Sequence, residues 1–256
     1  MDLLKGYPGH TAIIVARLDF EKKFIIFNQM AGFWFPYWWL LIPAIILGMI
    51  AQSRVRSTYN KYRKYRTRKN ISGAEMARMI LDNNNLYDIP IEEIPGQLTD
   101  HYDPRSRILR LSTNVYRGTD IAALGIAAHE AGHAIQHARS YFPLAVRNSV
   151  YPVASFGSNL GPILVIAGLF FGFFQPLITL GIILFAFAVV FSLITLPIEF
   201  NASNQAVKIL QKSGAVNQAE LEGAKSVLSA AALTYVASAL ASVLTLARLI
   251  LLSRSD

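Results

Sequence analysis

The chain has 256 residues, 53% of them hydrophobic and 16% charged, and no cysteine. That balance excludes an ordinary soluble domain and favours a membrane protein, while the lack of cysteine excludes disulfides and thiolate metal sites and leaves His, Asp and Glu as metal ligands. The net charge of +8 has a local source: Arg54 to Lys69 hold eight basic residues and no acidic one, so the other sixteen basic residues balance all sixteen acidic ones. In chain order, residues 1–29 alternate apolar and polar groups around LDFEKK and read as a strand–turn–strand extension. Met30 is expected to be the natural initiator, and a cleavable signal peptide is not expected. Residues 30–51 form a first transmembrane helix, because the charge-free stretch from Phe33 to Ala51 matches the roughly 20 residues that cross an apolar core about 30 Å thick. All three tryptophans lie in GFWFPYWWLL at its amino end, where amphipathic rings favour the membrane–water boundary; a core cluster is the alternative.

The basic run at 54–69, interleaved with Tyr59, Tyr62 and Tyr65, reads as a contact for anionic lipid headgroups and as the determinant of orientation. A plainly solvated helix is the alternative, and nucleic acid is not an expected partner. The run is therefore cytoplasmic and the amino terminus lies outside. Residues 52–147 make a small cytoplasmic α+β unit. Within it Ser72 and Glu75 form a capping box ahead of a short amphipathic helix, and the best strand is RILRLS, Arg107 to Ser112. Thr119 or Asp120 starts a helix that runs to about Arg139. Between Arg147 and Glu199 there is no charge, so residues 148–198 form a transmembrane hairpin with its turn at Gln175-Pro176. Residues 199–225 return to the cytoplasm as a helical segment. Residues 226–252, rich in Ala and Ser, either span or pack against the bundle.

The chemistry is concentrated in LGIAAHEAGHAIQHA, residues 124–138. His129 and His133 are four apart, so on a helix they stand about 40° apart around the axis and about 6 Å apart along it, close enough for two imidazoles to hold one zinc ion. Glu130 lies between them as a general base beside a metal-held water would, completing the pattern HExxH. The alternative is a polar helix face whose histidines are hydrogen-bonded to neighbours. His137, about 12 Å from His129 along the axis, is too far to join the same ion and reads as a packing or supporting group. A catalytic zinc takes a third protein ligand and keeps one position open. The chain returns to the face it left at Glu199, the first charge after the hairpin, and an ionisable group at the end of an apolar span is a functional candidate; merely ending the crossing is its alternative.

Four pieces, DHYDPRSRILRLSTNVY, IAALGIAAHEAGHAIQHA, TLPIEFNAS and GAKSVLSAAALTYVA, resemble the YugP-type neutral zinc metallopeptidases, over a range from about Phe35 to Leu252. The resemblance implies a multi-pass protein of the bacterial inner membrane. It also implies one zinc ion per chain bound by His129, His133 and Glu199, with Glu130 as catalytic base. In looser relatives, membrane zincins of the HtpX type, the downstream glutamate is followed four residues later by aspartate. Here that position is Ser203, which departs from that pattern; Asn201 and Asn204 are the candidates to take over its supporting role.

The fold expected is thus a mainly α multi-pass membrane protein with a small α+β zincin-like catalytic unit. The function expected is a zinc-dependent endopeptidase acting on protein or peptide substrates, membrane proteins among them, at the cytoplasmic face, with RILRLS holding extended substrate by edge pairing. The rival readings are an intramembrane protease and a non-catalytic zinc-binding scaffold. For stabilising the reaction's oxyanion, Tyr235 and His101 are the candidates, each with a structural role as its alternative.

Overall fold

A computed structural model describes residues 36–172 and 174–254. The expected strand–turn–strand of residues 1–29, the proposed start at Met30 and Trp34 lie outside the described residues. A 3₁₀ turn at Trp38–Leu41 leads into helix α1 (Ile42–Tyr62). Helix α2 (Gly73–Asp82) and strands β1 (Ile91–Ile94), β2 (His101–Asp103) and β3 (Ile108–Ser112) follow. After them come one helical turn, α3 (Thr113–Tyr116), and helices α4 (Ile121–Ala138), α5 (Phe142–Phe170), α6 (Gln175–Ser213) and α7 (Gln218–Leu252).

Among the described residues, four helices are long and apolar enough to cross a membrane: Trp38–Tyr62, Phe142–Phe170, Gln175–Ser213 and Gln218–Leu252. The Ala- and Ser-rich carboxyl helix is among them, and its residues Gln218 to Ser226 belong to the same helix as the apolar part. The two hairpin helices end at Phe170 and begin at Gln175, so their connection comes before Gln175-Pro176, where the sequence suggests the turn. Gln175-Pro176 instead begins α6, because proline's fixed φ and missing N–H suit the first helical turn. Gly157 lets α5 and α6 touch backbone to backbone, since a Cβ there would sit 2.0 Å from the Leu184 carbonyl oxygen.

Helix α6 has 39 residues, about 58 Å of helix, far more than the roughly 30 Å that an apolar core needs. It passes Glu199 without a break. The surplus of α6 and the first turns of α7 form one core with the α+β unit: Ala206, Leu210, Leu221 and Ala224 pack with Met76, Leu109, Leu111, Leu124 and Ile135. A separate cluster of Val165, Ile178, Phe185, Val189 and Leu249 holds the apolar ends together. Residues 199–225 cover the end of α6 and the start of α7, which form the back wall of the α+β unit.

The sheet order is β1-β3-β2, with β1 parallel and β2 antiparallel to β3. RILRLS is thus the central strand, with Leu109 and Leu111 buried. Both of its edges are paired, which removes it as an edge for substrate; β1 and β2 are the free edges.

The basic run divides in two. Its first half continues α1 beyond the apolar stretch. Its second half docks on the rest of the unit: Thr67 N–H donates to Thr119 O (2.8 Å), Ile121 N–H to Tyr65 O (3.0 Å) and Arg68 N–H to the Glu220 carboxylate (2.7 Å). All eight basic residues are exposed, whereas Tyr59 is buried beside Ala122 and Val227 and so belongs to the core rather than to a lipid-facing surface. Trp38 and Trp39 are half exposed at the opposite end of α1, which rules out a tryptophan core cluster there.

Candidate metal centre

Helix α4 is built for burial. Asp120 caps it by accepting from Ala123 N–H (3.0 Å), and its many alanines let the sheet, α6 and α7 close in from all sides. From Ile121 to His137 only Ile126, His129, Glu130, His133 and His137 are not fully buried. Those positions follow the i, i+3, i+4, i+7 spacing of a single helix face, so one polar stripe of an otherwise buried helix opens onto a cleft. Gly132, next to His133, brings the flank of α4 beside this stripe against α6, as a Cβ there would lie 3.1 Å from the Ala202 carbonyl oxygen. That approach brings Glu199 over the stripe.

The Nε2 atoms of His129 and His133 are 3.2 Å apart. Glu199 Oε2 lies 3.3 Å from the first and 3.5 Å from the second. A zinc ion with ligands at about 2.0–2.1 Å in a tetrahedron separates its donor atoms by about 3.4 Å, so the three atoms have the spacing of one tetrahedral face. The carboxylate supplies a second test. Glu199 is buried, and its Oε2 has no hydrogen-bond partner, a costly state for an anionic oxygen unless a cation is bound there. Burial disfavours a charged His133, but the Glu199 and Glu130 carboxylates outweigh it and raise the imidazole's pKa, a field that favours positive charge in this position.

The outer partners settle which nitrogens face the centre. Gln136 Nε2 donates to Ile198 O and to Asn201 Oδ1, each at 2.9 Å, which turns the amide oxygen toward His133 Nδ1 at 3.0 Å. Nδ1 must then carry the proton, leaving the Nε2 lone pair free for a metal. On His129 the Nδ1 partner is the Ser203 hydroxyl at 3.2 Å. Ser203, the position at which looser relatives have aspartate, does reach a histidine, although as a neutral partner. Asn201 acts one step further out, holding Gln136, and Asn204 lines a separate groove between α6 and α7. Gln136 escaped the sequence reading, although its place three residues after His133 on the helix was a usable signal. Gln136→Leu is expected to weaken zinc binding about 10–100-fold with the fold intact. Chelator competition on the purified variant measures this, and an unchanged affinity would remove Gln136 from the support of His133.

Glu130 stands apart from the three-atom group. Its Oε2 accepts from Tyr102 N–H at 3.1 Å, which fixes the carboxylate against the outer edge of β2. Tyr102 in turn bonds His137 Nδ1 through its hydroxyl (2.9 Å), so His137 supports the edge strand and is no ligand. Asp100, just before β2, accepts from Ser112 N–H (2.7 Å) and is hydrogen-bonded to its hydroxyl; burial raises its pKa against those bonds, and the nearby Glu130 charge adds to the rise. A cavity of about 180 Å³ joins these groups. It is lined by Asp100, His101, Tyr102 and Pro104 of β2 and its flanks, by Leu144 and Arg147 of α5 and Tyr235 of α7, and by Glu130, His133 and Glu199. Tyr235 thus reaches the site. His101 lines the cavity while its Nδ1 is bonded to the Thr99 carbonyl of its own loop (2.8 Å).

The family model described as "Putative neutral zinc metallopeptidase" matches residues 37–254. The chain belongs to this family. A curated relative, the "Putative membrane protease YugP" of Bacillus subtilis (strain 168), is 49% identical over 213 residues, 83% of this chain and 94% of the relative. No solved structure matches the chain significantly. A zinc family and a His129, His133, Glu199 group that could hold one metal ion agree on the cofactor, Zn2+.

Proposed function

We propose that the chain is a zinc-dependent endopeptidase that cuts protein substrates at the cytoplasmic face of the membrane, with His129, His133 and Glu199 as metal ligands and Glu130 as general base. The observation that carries this reading is the separation of roles along one helix face: two imidazoles and Glu199 converge on a point, while Glu130 is held aside by a main-chain N–H of an edge strand. Zinc bound by the three residues supplies Lewis acidity toward a scissile carbonyl and toward a water molecule. Glu130 takes a proton from the attacking water and returns it to the departing amine. Tyr102 N–H holds the carboxylate in place for both transfers. The outer edge of β2 beside Glu130 gives an extended peptide a place to pair.

The position of the site follows from helix lengths. Arg147 lies 23 residues before the end of α5, and Glu199 lies 24 residues after the start of α6, so both stand about 35 Å of helix from the connection between the two helices. That distance just exceeds an apolar core of about 30 Å, which supports a cleft at the membrane edge. The exposed basic run supports a cytoplasmic location for this same end. The HExxH helix α4 is not one of the four apolar helices, which argues against an intramembrane protease, and a purely structural metal site has no need of Glu130. Comparing membrane proteomes from cells with wild-type protein and Glu130→Gln tests the reading: fragments that require Glu130 should have new ends in segments next to a membrane span, on the cytoplasmic side. New ends confined to exterior segments would put the cleft on the other face.

A further inference from the structure

Arg147 is the unexplained group in the cleft. Among the described residues it is the only Lys or Arg lining the cavity, which it shares with Asp100, Glu130 and Glu199. Yet among the described residues it makes no ion pair or hydrogen bond, and its Nε is buried without a partner. Such a donor costs free energy unless something arrives to accept from it. The structure also holds the guanidinium in place, with its carbon 5.4 Å from the centre of the Phe191 ring of α6. Tyr235 and Glu199 line the same cavity as Arg147. The Asp100 carboxylate accepts from the Ser112 N–H and hydroxyl and forms no ion pair with the arginine.

We propose that Arg147 is a further catalytic residue, whose guanidinium donates to the oxygen that becomes anionic as the peptide carbonyl is attacked. This rests on the peptidase reading above. In the step, water oxygen bonds to the carbonyl carbon, the C=O π pair moves onto the carbonyl oxygen, and Glu130 receives the water's proton. The charge on that oxygen is met by Arg147 of α5. On collapse the C–N bond breaks, its electron pair leaves with the amine nitrogen, and the proton passes from Glu130 to that nitrogen. A pre-placed donor aimed at charge that exists only in the transition state raises kcat and leaves substrate binding nearly untouched.

The test uses full-length protein in detergent, with labelled casein as substrate. Arg147→Ala should keep one zinc per chain and a Tm near wild type, lose about 10²–10³-fold in kcat with little change in KM, and regain part of that loss with added guanidinium. Arg147→Lys should fall between the two. Wild-type turnover in Arg147→Ala, a change in KM alone, or loss of zinc along with activity would each overturn the proposal; a change in KM alone would mean that the arginine binds a carboxylate already present on the substrate. Titration with inorganic phosphate separates this proposal from the reading it rests on. A zinc-bearing wild type that cleaves nothing but binds phosphate about tenfold more tightly than Arg147→Ala would sink the peptidase reading and uphold an anion-binding Arg147. Equal phosphate affinity in the two proteins would count against Arg147 itself.

Discussion

Glu130→Gln is expected to retain about one zinc per chain and to lose peptide hydrolysis by on the order of 10³-fold or more. Glutamine keeps the size of the side chain and can still accept from Tyr102 N–H, which Glu130 does at 3.1 Å. What it lacks is a site for the proton of the attacking water. Glu130 is not part of the group formed by His129, His133 and Glu199, so the change should leave the metal in place. Metal analysis beside a casein assay decides the point. Full turnover in the variant would move the base elsewhere, and loss of zinc would put Glu130 among the ligands.

Glu199→Gln should fail differently. Its carboxylate is buried, with Oε2 unpartnered 3.3 Å and 3.5 Å from the two Nε2 atoms. A neutral amide there is a weak ligand and removes the negative charge that favours a cation, so zinc and activity should fall together. The loss should exceed the 10–100-fold typical of an outer partner such as Gln136. Excess zinc should restore part of the activity of Glu199→Gln and none of that of Glu130→Gln. The double variant His129→Ala, His133→Ala should hold no stoichiometric zinc. Normal zinc and normal turnover in Glu199→Gln would remove Glu199 from the site.

The local features were legible in the sequence because each rests on short-range physics. The capping box of Ser72 and Glu75, the cap at Asp120 and the histidine spacing need only neighbours within a turn or two of helix. Glu199 was within reach because a charge-free run of fixed length returns the chain to the face it left. What stayed hidden depends on tertiary contact. The strand RILRLS has the pattern of a half-buried strand, but nothing local tells a central strand from an edge, and β2, only three residues long, gives little periodicity to read. Tyr59 looked like part of a lipid-facing series because its burial against Ala122 and Val227 comes from α4 and α7. Arg147 was merely the last charge before an apolar span until α5 folded it into the cleft. Ser203 broke a pattern in the sequence, and only the packing of α6 on α4 shows that its hydroxyl still meets His129.

The central claim is that one zinc ion in this cleft is required for peptide hydrolysis. Casein cleavage by the purified wild-type protein, measured as isolated, after zinc removal by a chelator and after zinc is added back, tests it most directly. The account predicts one zinc per chain as isolated, no turnover in the metal-free protein and recovery that saturates at one equivalent. Undiminished turnover in the metal-free protein, or a one-zinc protein that cleaves nothing, would contradict it.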